Sequence, residues 1–120
     1  MKKLTIILNG GVKSCCSVYP PELVHEIVKD WTDGMCNVTV IDAKKENWNP
    51  DEMTSFAIKY FGEYAYPFIY IDDILISLGH FPTQEELLAL ILQENRKEVS
   101  KQDIIEAAKK YGFVKEEENV

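Results

Sequence analysis

Phe68-Ile69-Tyr70-Ile71-Asp72-Asp73-Ile74-Leu75-Ile76-Ser77-Leu78 is the stretch that decides the fold. Two short runs of β-branched, aromatic and leucine residues flank a pair of aspartates, the pattern of a β-hairpin. The turn pair is Asp-Asp rather than Asn-Gly or Asp-Gly, so the sequence leaves the turn type open. Such a hairpin must join whatever sheet the earlier chain builds. Leu4-Thr5-Ile6-Ile7-Leu8 is a continuous β-prone run stopped by Asn9-Gly10-Gly11, as expected of a strand buried on both faces. Asn37-Val38-Thr39-Val40-Ile41-Asp42 reads as a second buried strand. Between them, Pro20-Pro21-Glu22 opens a helix over residues 20–32, with Leu23, Val24, Ile27, Val28 and Trp31 at helical spacing and Asp33-Gly34 as its stop. Two strands joined by a helix require parallel pairing through a right-handed crossover, and the hairpin adds two antiparallel strands. The expected fold is α/β: a four-stranded mixed sheet in the order βαβαββα, with helices on both faces and a C-terminal helical extension.

The remaining helices carry their own start signals. Asn49-Pro50-Asp51-Glu52 reads as a cap, a proline in the first helical position and an acidic first turn, followed by an apolar stripe of Met53, Phe56, Ala57, Tyr60 and Phe61 up to Gly62. Thr83 and Glu86 form a capping box ahead of Leu87, Leu88, Leu90, Ile91 and Leu92. Ser100 and Asp103 start a last helix with Ile104, Ile105, Ala108 and Tyr111 expected on one face. Residues 1–98 are read as the domain and 99–120 as a C-terminal helix and acidic tail. Residues 12–19 show no periodicity and read as a loop.

Composition excludes several classes. The chain has 120 residues, 46% of them hydrophobic, which suits one domain with a real core. Twenty acidic against 13 basic side chains give a net charge of −7, a surface that repels phosphate backbones and disfavours nucleic acid. No apolar run approaches the roughly 20 residues of a membrane span, and the apolar run after Met1-Lys2-Lys3 is too short for a signal peptide. Three cysteines do not make the disulfide framework of a small secreted domain. The expectation is a cytoplasmic protein that contacts neither membrane nor nucleic acid.

Topology predicts which residues share an end of the sheet. Cys15 and Cys16 follow the carboxyl end of the first strand, where ligands and reactive groups collect in open α/β sheets. A third strand antiparallel to the first starts at that end, bringing Tyr66 and Pro67. The fourth strand finishes there, bringing His80. Cys15, Cys16, Tyr66, Pro67 and His80 are therefore expected to cluster. Cys36, a helix length of roughly 18 Å away, reads as a small buried hydrophobe. His25 reads as solvent-facing, and Tyr64 and Tyr66 as a rim to the cysteine loop.

Ala65-Tyr66-Pro67-Phe68-Ile69-Tyr70-Ile71, the hairpin, Gly79 and a capped helix resemble the thioredoxin-like superfamily over roughly residues 4–95. The resemblance implies a cis proline at Pro67 facing reactive cysteines. Two subgroups look most similar. In arsenical metallochaperones an adjacent cysteine pair, matched by Cys15-Cys16, is followed by a third cysteine, near whose place Pro21 stands here. In a family of small proteins described as putative disulfide oxidoreductases, Cys16 matches the second cysteine of a Cys-x-x-Cys loop and Lys13 occupies the first position.

These residues support thiol–disulfide chemistry first. Cys15 and Cys16 would be the reacting thiols, Tyr66, Pro67 and His80 would line the substrate site, and a protein or low-molecular-weight thiol or disulfide would be the partner. No cofactor is required. Lys13 is the nearby cation that would favour a thiolate. A second reading is a soft metal or metalloid site with Cys15, Cys16 and His80 as ligands. A third is a non-catalytic interaction module with inert thiols. Under any of the three, the helical extension over residues 100–114 is a candidate element for docking a partner or a second copy as a homodimer.

Overall fold

The structure, a computed structural model, describes residues 2–13, 18–93 and 98–112. The positions of Cys15 and Cys16 and the tail from Phe113 lie outside the described residues. The elements are β1 (Lys2–Leu8), β2 (Val12–Lys13), β3 (Val18–Tyr19), α1 (Pro21–Thr32), β4 (Cys36–Asp42), α2 (Glu52–Phe61), a 3-10 turn (Gly62–Ala65), β5 (Phe68–Ile71), β6 (Ile74–Leu78), α3 (Gln84–Leu92) and α4 (Lys101–Lys110). This is an α/β fold with a four-stranded mixed sheet, ordered β4-β1-β5-β6, and helices on both sides.

β1 is parallel to β4, with Lys2 opposite Cys36 and Leu8 opposite Asp42. It is antiparallel to β5, with Leu4 opposite Ile71 and Ile7 opposite Phe68. Side chains of successive strand residues leave opposite faces. Leu4, Ile6 and Leu8 therefore pack with Val24 and Val28 of α1 and Leu87 and Ile91 of α3. Ile7 faces the other way, into Ala57 and Phe61 of α2, Phe68, Leu75, and Ile104 and Ala108 of α4.

Several local outcomes differ from expectation. β4 is an edge strand, so Asn37 and Thr39 are exposed rather than buried on both faces. Helix α2 begins one step later than expected. Asp51 is the cap, its side chain accepting from the Thr54 N–H at 2.8 Å and from the Thr54 hydroxyl at 2.9 Å, so Pro50 precedes the cap instead of opening the helix. A carboxylate that reaches two donors caps better than Asn49 could from two residues earlier. Residues 12–13 and 18–19 form an antiparallel ribbon, Val12 opposite Tyr19 and Lys13 opposite Val18, where a loop was expected. Two-residue strands carry no readable period. His25 is half-buried rather than solvent-facing, its Nε2–H donating to the Val38 carbonyl at 3.2 Å.

The hairpin turn is settled by backbone geometry. Asp72 and Asp73 have φ of +52° and +68°, the doubly left-handed pattern of a type I′ turn, which matches strand twist. Asp72 is also stitched to β1: its Oδ1 accepts from the Lys3 N–H at 2.9 Å and its N–H donates to the Lys3 carbonyl at 2.8 Å.

The C-terminal helix contributes to the core. Ile104 and Ala108 are buried in the cluster of Ile7 and Phe68, Lys101 pairs with Glu52 of α2 at 2.8 Å, and the Val99 N–H donates to the Leu75 carbonyl at 2.9 Å, covering part of the β6 edge. Tyr111, expected on the same face, is 67% exposed. Among the described residues, no helix is long and apolar enough to cross a membrane.

Truncating a fully buried isoleucine costs about 2–5 kcal/mol, whereas exposed positions change stability by about 0.5 kcal/mol or less. Ile104→Ala is therefore expected to lower the urea midpoint clearly and Tyr111→Ala to leave it in place; a silent Ile104→Ala would show that α4 adds nothing to the core. Asp51 adds a pH term. Burial pushes its carboxyl up, but bonds from the Thr54 backbone, the Tyr70 hydroxyl and the Thr54 hydroxyl outweigh that and hold it below the ordinary value. A depressed folded value means stability present above pH about 4 and lost as pH falls through the folded value. Asp51→Asn should therefore flatten the acid limb of a stability–pH curve.

Candidate functional site

At the carboxyl ends of β1 and β4 lies a cavity of about 550 Å³, lined by Asn9, Gly11, Val12, Lys44, Tyr66, Pro67 and His80 among others. The strand pattern explains the gathering. Parallel pairing puts the ends of β1 and β4 side by side, and the antiparallel β5 begins where β1 ends. Of the residues expected to cluster, Tyr66, Pro67 and His80 share this cavity, while Cys15 and Cys16 lie outside the described residues.

The Tyr66–Pro67 peptide bond is cis. The Gly79 N–H donates to the Pro67 carbonyl at 3.2 Å and to the Ala65 carbonyl at 2.9 Å, and the Tyr66 N–H donates to Glu63 at 3.4 Å. These bonds engage the Tyr66 N–H and the Pro67 carbonyl within the chain. Tyr66 is held from behind, its ring 5.0 Å from Phe68 and 6.2 Å from Trp48, both edge-to-face. Burial raises its phenol above the ordinary value, so it stays a neutral hydroxyl. Tyr64, 67% exposed, forms part of the rim.

His80 stands at the mouth, its Nε2 3.4 Å from the Glu86 carboxylate, which also accepts from the Thr83 N–H at 2.9 Å. The imidazole is thus tied to the start of α3. Among the described residues, no three His, Cys, Asp or Glu side chains are grouped to hold a metal ion.

Two residues at this end were missed. Asp42, 3% exposed, ends β4, and its Oδ1 accepts from the Gly10 N–H at 2.9 Å and the Lys44 N–H at 3.0 Å. Lys44 lies across Gly10, its Nζ 3.4 Å from where a Cβ there would stand, and supplies a cation to the cavity wall. The signal was available: both follow the second parallel strand at its carboxyl end, the position that drew attention to the first.

Cys36 is apart from this site. It is buried at the start of β4, opposite Lys2, so six residues of strand, about 20 Å, separate it from the level of Leu8. Burial pushes its thiol above the ordinary value, Thr32 only partly opposing it. Such a thiol is a poor nucleophile at neutral pH.

No family model matches the chain and no curated protein matches it. A solved structure similar to it is a protein of unknown function from Staphylococcus aureus, 18% identical, with a TM-score of 0.42 over 72% of this chain and 93% of that one.

The approach of the ribbon to the cavity wall rests on Gly11. Its φ is +107°, and a Cβ would stand 2.4 Å from the Tyr19 carbonyl oxygen. Gly34, at φ +80°, has nothing within 4 Å. Gly34→Ala is expected to carry only the conformational cost, about 1 kcal/mol, and Gly11→Ala at least about 2 kcal/mol, compared by urea unfolding. Equal costs would mean that the ribbon does not pack there.

Proposed function

We propose that the chain is a thioredoxin-like thiol protein that exchanges disulfides through Cys15 and Cys16 at the cavity of Tyr66, Pro67 and His80. One observation carries this: Gly11 and Val12, which lead to the cysteines, line the same cavity as Tyr66 and Pro67. Cys15 is three residues from Val12 and Cys16 two from Val18. The ribbon strands that flank the two cysteines in sequence stand at the carboxyl end of β1, where Lys44 contributes positive charge.

The chemistry needs no cofactor. The Cys16 thiolate attacks one sulfur of a substrate disulfide, forming a mixed disulfide and expelling the other sulfur as a thiolate, which takes a proton. The Cys15 thiolate then attacks Cys16, releasing the second substrate thiol and leaving Cys15 and Cys16 oxidised. An external thiol instead of Cys15 can resolve the mixed disulfide. The phenol of Tyr66 and the apolar ring of Pro67 offer the substrate a neutral wall.

The test is equilibration in glutathione buffers from roughly −320 to −180 mV, followed by alkylation and mass mapping of all three cysteines. Cys15 and Cys16 are expected to titrate within that window, as an internal bond or a mixed disulfide. Cys36 is expected to be alkylated at least tenfold more slowly in native protein than in urea. Thiols 15 and 16 that stay free throughout would overturn the redox proposal. Stoichiometric soft-metal binding, lost in a double Cys15→Ser, Cys16→Ser variant, would then favour the metal alternative with His80 as third ligand.

A further inference from the structure

Two backbone groups around the cis bond are already bonded within the chain, the Tyr66 N–H to the Glu63 carbonyl and the Pro67 carbonyl to the Gly79 N–H. Selection of what enters the cavity then falls to its side chains. Much of the wall is neutral, with Leu8, Val12, Tyr66, Pro67 and Phe81. Among the described residues its fixed charges are Lys44 and Glu63, and His80 is tied to Glu86. The two charges come from opposite flanks of β1, Lys44 after β4 and Glu63 ahead of β5. Those strands are two spacings apart, roughly 10 Å, which is about a Debye length at physiological salt. A ligand charge placed at Lys44 is therefore largely screened from Glu63.

Lys44 is held in that wall by its surroundings. Its N–H donates to the buried Asp42 carboxylate at 3.0 Å. Its stem crosses Gly10, with Cδ 3.2 Å from where a Cβ there would stand, so a side chain at residue 10 would displace it. Among the described residues its Nζ has no carboxylate partner, which leaves the ammonium to a ligand. The cavity volume of about 550 Å³ lies in the range of small-molecule sites, roughly 300–1,000 Å³. Resting on the thiol–disulfide reading, we infer that the substrates are small disulfides carrying a carboxylate a few atoms from sulfur, with Lys44 as the specificity-determining residue. In the exchange, the protein thiolate bonds to one substrate sulfur. The S–S bond breaks, and the other arm leaves as a thiolate with its carboxylate intact and takes a proton from water. An uncharged or ammonium-bearing arm gains nothing from Lys44.

The test mixes reduced protein with dithiodiglycolate (anionic), bis(2-hydroxyethyl) disulfide (neutral) or cystamine (cationic). Each rate is divided by that of free mercaptoethanol with the same disulfide, which removes intrinsic reactivity. The ratio is expected to be highest for dithiodiglycolate. Lys44→Gln should lower that ratio about three- to fivefold, the size of one exposed ion pair, and leave the neutral ratio unchanged. The difference should fade in about 0.5 M salt. Lys29→Gln, which removes the same charge from the last turn of α1, should alter no ratio. Adipate, with two methylenes in place of the two sulfurs of dithiodiglycolate, probes the cavity without thiol chemistry. Saturable amide NMR shifts at Gly11, Val12 and Lys44 are expected, weaker in Lys44→Gln and weaker still with uncharged 1,6-hexanediol. Exchange with unchanged ratios in Lys44→Gln would overturn this inference and leave the redox reading standing. Lys44-dependent adipate binding by a protein that exchanges none of the disulfides would overturn the redox reading, and with it disulfides as the substrates. A higher ratio for a neutral cysteine-peptide disulfide than for dithiodiglycolate would assign the cavity to a protein chain and overturn the small-molecule class.

Discussion

The backbone groups of β1 need partners along both edges, because the strand lies beneath apolar side chains on both faces and water cannot serve it there. β4 supplies one edge in parallel and β5 the other in antiparallel register. Those two directions have a geometric consequence. The parallel neighbour brings its own exit, Asp42 and Lys44, beside the exit of β1. The antiparallel neighbour brings its entry, Tyr66 and Pro67, to the same level. A concave end follows from satisfying one strand.

Much of this was legible because it rests on local chemistry or strict periodicity. The hairpin, β1 and the capping boxes at Thr83 and Ser100 are set by residues within a few positions of each other. What escaped reading depended on contacts remote in sequence. Asp51 wins the cap of α2 partly because the Tyr70 hydroxyl, 19 residues away, donates to its second oxygen at 2.9 Å. The depth of α4 depends on Ile104 and Ala108 meeting Ile7 and Phe68, pairings no window of sequence contains. The ribbon of β2 and β3 was invisible because two residues per strand show no alternation, and its register is set by Gly11 admitting the Tyr19 carbonyl.

The candidate site was legible to a similar degree. Tyr66, Pro67 and His80 were placed by strand direction alone, and they line one cavity. Lys13 drew notice as a cation because it neighbours the cysteines in sequence, whereas Lys44 reaches the cavity through space, across a glycine that leaves it room. Sequence proximity favours local partners, and the carboxyl edge of a parallel pair is assembled from segments about 30 residues apart.

Asp42 shows how closely the two ends of that edge are tied. Its Oδ1 bonds the amide of Gly10, inside the turn that leads β1 toward the ribbon, and the amide of Lys44, whose side chain lines the cavity of Pro67. Its other oxygen is buried with no hydrogen-bond donor among the described residues, and the residue lines a cavity of Glu22, Glu26, Lys45 and Glu46 between α1 and β4. Asp42 thus lines the cavity beside α1 directly and supports the cavity of Tyr66 and Pro67 through the Lys44 amide. Replacing that side chain disturbs both walls, whereas replacing Glu22 and Glu26 disturbs only one.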